Sequence, residues 1–277
     1  MNRPEDIRAR ADNIRDIEAI VTTLRALAVA RQREARAHLD PIRAHETAVG
    51  RALSVALAAA RSEPPKAPAG HGLAIVVGAG QGFSGAFAER IAQAALDMAG
   101  GGDALMVVGG RTRGALGERG IAPAWFADAP SHALDVPALA SRLSDALFER
   151  LGARPDAPVS ILFANPEAAS GPLVRRRMFP FDFARFTPPS GGPLLMSVPP
   201  ARLVAALVEE YVFAALCEAL MLGFAAENAA RAAAMTRARS NVKRIAADLK
   251  VQFQQARQDQ MTTEIIELAS GARAGAT

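Results

Sequence analysis

The stretch with the most chemical promise is Gly78-Ala79-Gly80-Gln81-Gly82-Phe83-Ser84-Gly85. Gly80-x-Gly82-x-x-Gly85 has the spacing of a turn whose backbone N–H groups cradle a pyrophosphate. Its setting fits. The apolar run Leu73–Val77 before it reads as a buried strand, and Ala86–Met98 after it reads as a helix. Arg111 and Arg113 follow a second predicted strand, Asp103–Val108, where a 2′-phosphate would be gripped. Taken alone, these residues describe an NADP-binding oxidoreductase with helical arms for dimerisation. The rest of the chain does not complete one. No acidic residue closes the second strand to hold a ribose hydroxyl. The one tyrosine, Tyr211, falls inside a predicted helix, and no acid–base pair follows.

Other chemistries find less support. Cys217 is the single cysteine, so no intrachain disulfide forms. Its neighbours Ala214, Ala215, Leu216 and Leu220 suggest packing rather than a nucleophile. His38, His45, His71 and His132 lack the spacing of metal ligands. The net charge is +4 and the pI near 9.9, carried almost wholly by arginine. No basic run with interleaved aromatics points to nucleic acid. No stretch reaches the ~18 apolar residues of a membrane span. Met1-Asn2-Arg3-Pro4-Glu5-Asp6 has neither the apolar core of a signal peptide nor the acid-poor character of a transit peptide. The chain therefore reads as soluble, intracellular and bacterial.

The flanking elements must position whatever the centre does. Pro4-Glu5-Asp6 is a helix start, with proline in the first turn and acids at the positive end of the helix dipole. Ile7, Ala11, Ile14, Ile17, Val21, Leu24 and Ala28 then recur in steps of three and four, the seam of a coiled coil. The helix is expected to kink at Pro41 and to stop before Ser62-Glu63-Pro64-Pro65. In the centre, strands alternating with helices predict a largely parallel sheet. Val136–Leu151 is a helix, and Val159–Phe163, Leu173–Phe179 and Leu194–Val198 are further strands. After Pro199-Pro200 no proline occurs, and the first glycine is Gly223. Roughly 70 residues can then run as one helix of about 105 Å, far longer than a small core needs. Its predicted seam is Val242, Ile245, Leu249, Gln252, Ala256 and Thr263.

Two motifs in this last helix carry a resemblance. Thr262-x-Glu264-x-x-Glu267-x-x-x-Gly271-Ala272, preceded by Ala256-Arg257-Gln258, is similar to the signature that closes the gamma subunits of F-type ATP synthases. Met261 stands where that family has Ile or Val. Glu227-Asn228-Ala229-Ala230-Arg231-x-x-Ala234-Met235 is similar to a second motif of the same family. The opening Glu5-x-Ile7-Arg8 and the run to Ala28-x-Ala30-Arg31 resemble its first helix. In the centre the resemblance is thin. Gly82-Phe83-Ser84-Gly85 aligns with Gly-Leu-x-Gly, but Gly80, Gln81, Ala86 and Ala88 replace the family's Asp, Arg, Gly and Asn.

The resemblance implies a long antiparallel coiled coil of N- and C-terminal helices plus a small central α/β domain with a mostly parallel sheet. The division would be an N-terminal shaft helix over 1–62, a central domain with linker over 63–198 and a C-terminal shaft helix over 199–277. It implies a rotor of a rotary ATP synthase. The helix pair would sit inside a ring of alpha and beta subunits, and the central domain on a membrane ring of c subunits beside an epsilon subunit. Such a chain has no catalytic residues, cofactor or metal of its own, binds no nucleic acid and takes no small-molecule ligand. It would lie peripherally on the cytoplasmic face of a bacterial inner membrane. By match to family positions, Leu24, Arg231, Arg257, Gln258, Thr262 and Glu264 would contact the alpha/beta ring. A coiled-coil adaptor without rotary function is the alternative to both readings.

Overall fold

The computed structural model describes residues 4–60, 70–99, 102–167, 173–186 and 197–274. The elements in order are α1 (Pro4–Ala60), β1 (Leu73–Val77), α2 (Phe87–Ala99), β2 (Ala104–Val108), α3 (Gly110–Gly117), β3 (Trp125–Ala127), α4 (Val136–Ala153), β4 (Val159–Ala164), β5 (Leu173–Phe179) and α5 (Pro200–Ala274). The chain divides into two units, one of residues 28–231 and one of residues 1–27 with 232–277. Both α1 and α5 contribute to each.

The larger unit is built on one five-stranded sheet in the order β3-β2-β1-β4-β5. β1 pairs in parallel with β2 and β4, β2 pairs in parallel with β3, and β5 runs antiparallel to β4. All five residues of β1 are buried. Side chains alternate across a strand. Leu73, Ile75 and Val77 therefore enter one core with parts of α1, α4 and α5, while Ala74 and Val76 enter the other with α2 and α3. The sheet is thus covered on both faces, as parallel strands require.

α5 enters this core without an amphipathic pattern. Every residue from Ala214 to Asn228 is buried, as expected of a helix enclosed on all sides. Gly223 sits where it crosses β1. A Cβ there would lie 2.5 Å from Cγ1 of Val77. The helix tolerates the loss of about 1 kcal/mol of propensity that glycine brings because no larger residue leaves room for the strand.

In the smaller unit the α1 and α5 segments run antiparallel. Nε of Arg25 donates to Oγ1 of Thr236 at 3.1 Å, and Nε of Arg239 lies 3.7 Å from Oε1 of Glu18. Ile7, Val21, Met235 and Val242 are its buried apolar residues. Three expected seam positions are corrected. Ile17 is 43% exposed, and its neighbour Glu18 faces α5 instead. Residue 18 is eleven positions from Ile7, about 20° off its direction at ~100° per residue, whereas Ile17 is about 80° off. On α5, Gln252 is exposed and Phe253 half-buried, and Thr263 is exposed.

Other expectations meet the structure differently. α1 continues through Pro41 as one assigned helix of 57 residues. β3 and α3 lie in a stretch for which no element is predicted from the sequence; at three and eight residues they are too short for a periodic signal. Most of the predicted strand at Leu194–Val198, and most of the linker from Ser62, lie outside the described residues.

Two measurements check this architecture. Gly223→Val should lower stability by roughly 1–3 kcal/mol through overpacking against β1, read as a lower denaturation midpoint in urea. With Cys217 replaced by serine, cysteines at Leu24 and Met235 should be joined within one chain by a short bis-maleimide. A pair at Leu24 and Gln252 should not.

Candidate functional site

The glycine-rich turn follows β1, as its sequence requires, and its amides do bind an anion. That anion belongs to the chain itself. Oε2 of Glu227 accepts from the Gly80 N–H at 3.1 Å, and Oε1 accepts from the Gln81 N–H at 2.9 Å. Glu227 is 4% exposed and comes from α5. Its charge is matched by Arg231 one turn on, whose Nη2 donates to Oε1 at 2.6 Å. The same guanidinium donates through Nε to the Gly82 carbonyl at 3.1 Å and through Nη1 to Oδ1 of Asn228 at 2.8 Å. Asn228 is fixed by its own bond to the Phe224 carbonyl. Glu227 and Arg231 thus hold three consecutive residues of the turn, taking two amide protons and one carbonyl.

Local geometry supports this closure. A Cβ on Gly80 would approach that of Ala129 to 2.7 Å, so the turn passes too close to the segment after β3 for a side chain. Phe83, beyond the held residues, takes φ 64° and is 70% exposed. The cleft beside the turn measures about 300 Å³ and is lined by Arg31, Asp128 and Glu227 among others. It lies at the low end of the range for small-molecule sites and presents carboxylates as well as guanidiniums. Arg113 does not stand free for a phosphate, since its guanidinium lies 3.9 Å from the centre of the Phe126 ring. Arg111 is exposed.

A second buried carboxylate anchors the opposite side of α5. Oε1 of Glu218 accepts from Nε of Arg43 on α1 at 3.1 Å, and Oε2 accepts from Nη2 of Arg176 on β5 at 2.9 Å. Arg43 also reaches Glu167 at 3.3 Å. The hydrogen bond to Glu218 leads the causes that raise the Arg43 pKa, against the opposing effect of burial. Sequence reasoning missed Glu218. Its signal was an acid inside the apolar run Ala214–Gly223, a position that demands a buried partner. Cys217 beside it is buried, and burial pushes its thiol up to about 12, so the thiol stays protonated and unreactive as its neighbours suggested.

The six residues singled out as ring contacts fall in different settings. Leu24 is half-buried, and Arg231 is 6% exposed with its guanidinium engaged as described. Arg257, Gln258, Thr262 and Glu264 are exposed, as is every residue from 257 to 266. The Thr262 hydroxyl donates to the Gln258 carbonyl at 2.9 Å, and Glu264 accepts from Nε2 of Gln260 at 2.9 Å. Among the described residues no cluster of metal-ligating side chains occurs, and no helix is long and apolar enough to cross a membrane.

The unit is an α/β fold whose dinucleotide-type turn is filled from within by a long C-terminal helix. The profile of the family described as ATP synthase matches residues 3–274, and the chain belongs to that family. It is 32% identical over 100 residues to the ATP synthase gamma chain of Nitratiruptor sp., covering 35% of this chain and 34% of that one. It is 45% identical over 69 residues to the gamma chain of Sulfurovum sp., covering 25% and 23%. The alignments thus span about a third or less of the length of these curated relatives. Among solved structures, a chain of the Euglena gracilis mitochondrial ATP synthase, in its OSCP/F1/c-ring assembly, superposes with a TM-score of 0.66. It shares 14% identity, over 98% of this chain and 94% of that one. The fold of long terminal helices around a central sheet is therefore that of the family.

Glu227→Ala would leave Arg231 buried without its partner and two turn amides without an acceptor. It should cost about 3–5 kcal/mol, measured by urea unfolding. Glu227→Gln, which keeps one acceptor oxygen, should lose less.

Proposed function

We propose that this chain is the gamma subunit, the central-stalk rotor, of an F-type ATP synthase. It couples ion flow through a membrane ring of c subunits to ATP synthesis or hydrolysis in a ring of alpha and beta subunits. The observation that carries this is α5, one helix of 75 residues. It is enclosed in protein at Ala214–Asn228 and exposed from residue 257 to 266, where the family's closing motif lies. The family membership and the gamma-chain relatives support it. In this reading residues 1–62 and 199–277 form the shaft, and residues 63–198 the domain that stands on the c ring beside epsilon. The chain contributes no catalytic residue. The complex lies on the cytoplasmic face of a bacterial membrane.

A shaft that turns inside a sleeve needs a smooth apolar surface and a few polar handles. The exposed Ile17, Ile20 and Leu27, with half-buried Leu24, fall within about 80° of one another around α1 at ~100° per residue. Met261, Ile265 and Ile266 are exposed on α5. The handles are Arg257, Gln258, Thr262 and Glu264. Arg231 belongs to this set by family match, and its guanidinium is held by Glu227, Asn228 and the Gly82 carbonyl. An asymmetric rotor biases otherwise equivalent sites only through contacts that differ among their states.

Hydrogen bonds to charged groups are worth ~1.5–3 kcal/mol each. Arg257→Ala or Glu264→Ala should therefore lower ATP turnover, or assembly of the complex, several-fold or more, while the α/β unit stays folded. The assay is ATP hydrolysis and subunit stoichiometry of complexes reconstituted with each variant. Parent-like values for both would remove these residues from the contact set.

A further inference from the structure

A second cleft, of about 610 Å³, lies away from the glycine-rich turn and is not used by the rotor reading. It opens between β5, the residues after it and α5. Four guanidiniums line it, from Arg175, Arg176, Arg177 and Arg185, against a single carboxylate, Asp182. Arg176 is committed to Glu218. Arg175, Arg177 and Arg185 are exposed and make no ion pair or side-chain hydrogen bond among the described residues. The cleft's apolar side is aromatic. Phe181 and Phe186 stack with centroids 5.5 Å apart and planes at 6°, and Tyr211 meets both edge-on at 5.4 and 5.3 Å. The Tyr211 hydroxyl is held protonated, its pKa pushed up to about 12 by burial and then by Glu46. It is therefore a neutral hydrogen-bonding group rather than an anion beside the arginines.

Exposed arginines on an edge strand discourage sheet-to-sheet pairing, which accounts for Arg175 and Arg177. It does not account for Arg185, which lies outside the strand, or for an aromatic wall within the same cleft. A carboxylate saturates one guanidinium fork, whereas a phosphate monoester carries three peripheral oxygens and accepts from several. The volume is that of a small-molecule site, apolar on one side with a few polar groups on the other. We propose that this cleft binds a phosphate monoester carried on an apolar or aromatic body, presented either by a soluble molecule or by a lipid headgroup.

The test uses the full chain and two probes: phenyl phosphate followed by calorimetry, and phosphatidic acid vesicles followed by co-sedimentation, with phosphatidylcholine vesicles as blank. Saturable binding of at least one probe is expected, and Arg175→Gln with Arg185→Gln should weaken it at least tenfold. Arg90→Gln with Arg111→Gln removes the same charge from exposed positions elsewhere and should leave it unchanged. Arg177→Gln alone supplies a second variant should the double one lose its native helicity by circular dichroism. Binding of phenyl phosphate identifies a soluble ester as ligand, and binding of vesicles alone identifies the headgroup. Absence of saturable binding to both probes, or equal loss in the cleft and control variants, would overturn the proposal.

Discussion

The structure depends on one ionic contact inside the protein, Glu227 with the amides of Gly80 and Gln81 on one side and Arg231 on the other. A turn rich in glycine exposes N–H groups that want an anion. In cofactor-binding folds the anion arrives with the ligand. Here it is covalently part of α5, so the turn is satisfied as soon as the helix packs. What would be a binding site becomes a joint between a sheet and a helix. The buried charge is tolerable because Arg231 neutralises it and because each nitrogen of that guanidinium donates to an acceptor.

That joint accounts for the most enzyme-like feature of the sequence: two amides of the turn are already occupied by Glu227. The spacing Gly80-x-Gly82-x-x-Gly85, the strand before it and the helix after it were all legible, and all are present. The missing information was the occupant of the turn, 146 residues away from Gln81 in sequence. The motif Glu227-Asn228-Ala229-Ala230-Arg231 was visible, but nothing local says that its acid and base close on a distant turn. The charges themselves were the clue, since an acid and an arginine four apart inside an otherwise apolar helix must find partners.

The rest of the fold divides along physical lines. Long elements were readable because their signals repeat: α1 and α5 carry few internal breakers, Pro41 and Gly50 in the first and Gly223 and Gly271 in the second, and β1, β2 and β4 are runs of branched apolar residues. Coiled-coil phase was less secure. A seam of threes and fours admits either Ile17 or Glu18, apolarity favours Ile17, and only the continuous ~100° step selects Glu18. β3 is three residues long and owes its place to β2, so its sequence had little to announce. Among the proposed contact residues, Arg257, Gln258, Thr262 and Glu264 were nameable only by resemblance. On an exposed helix they look like any solvated polar residues.

Glu218 and Glu227 are nine residues apart on α5, about 900° of winding at ~100° per residue, and so emerge from diametrically opposite sides. One is gripped by Arg43 and Arg176, the other by the glycine-rich turn. A cylinder pinned at two opposed points has no angular play. To spin within its housing, α5 would have to pull both carboxylates from their partners at once. It is keyed to the sheet as a machined axle is keyed to its hub, and a twist imposed on the sheet is delivered to the helix without backlash.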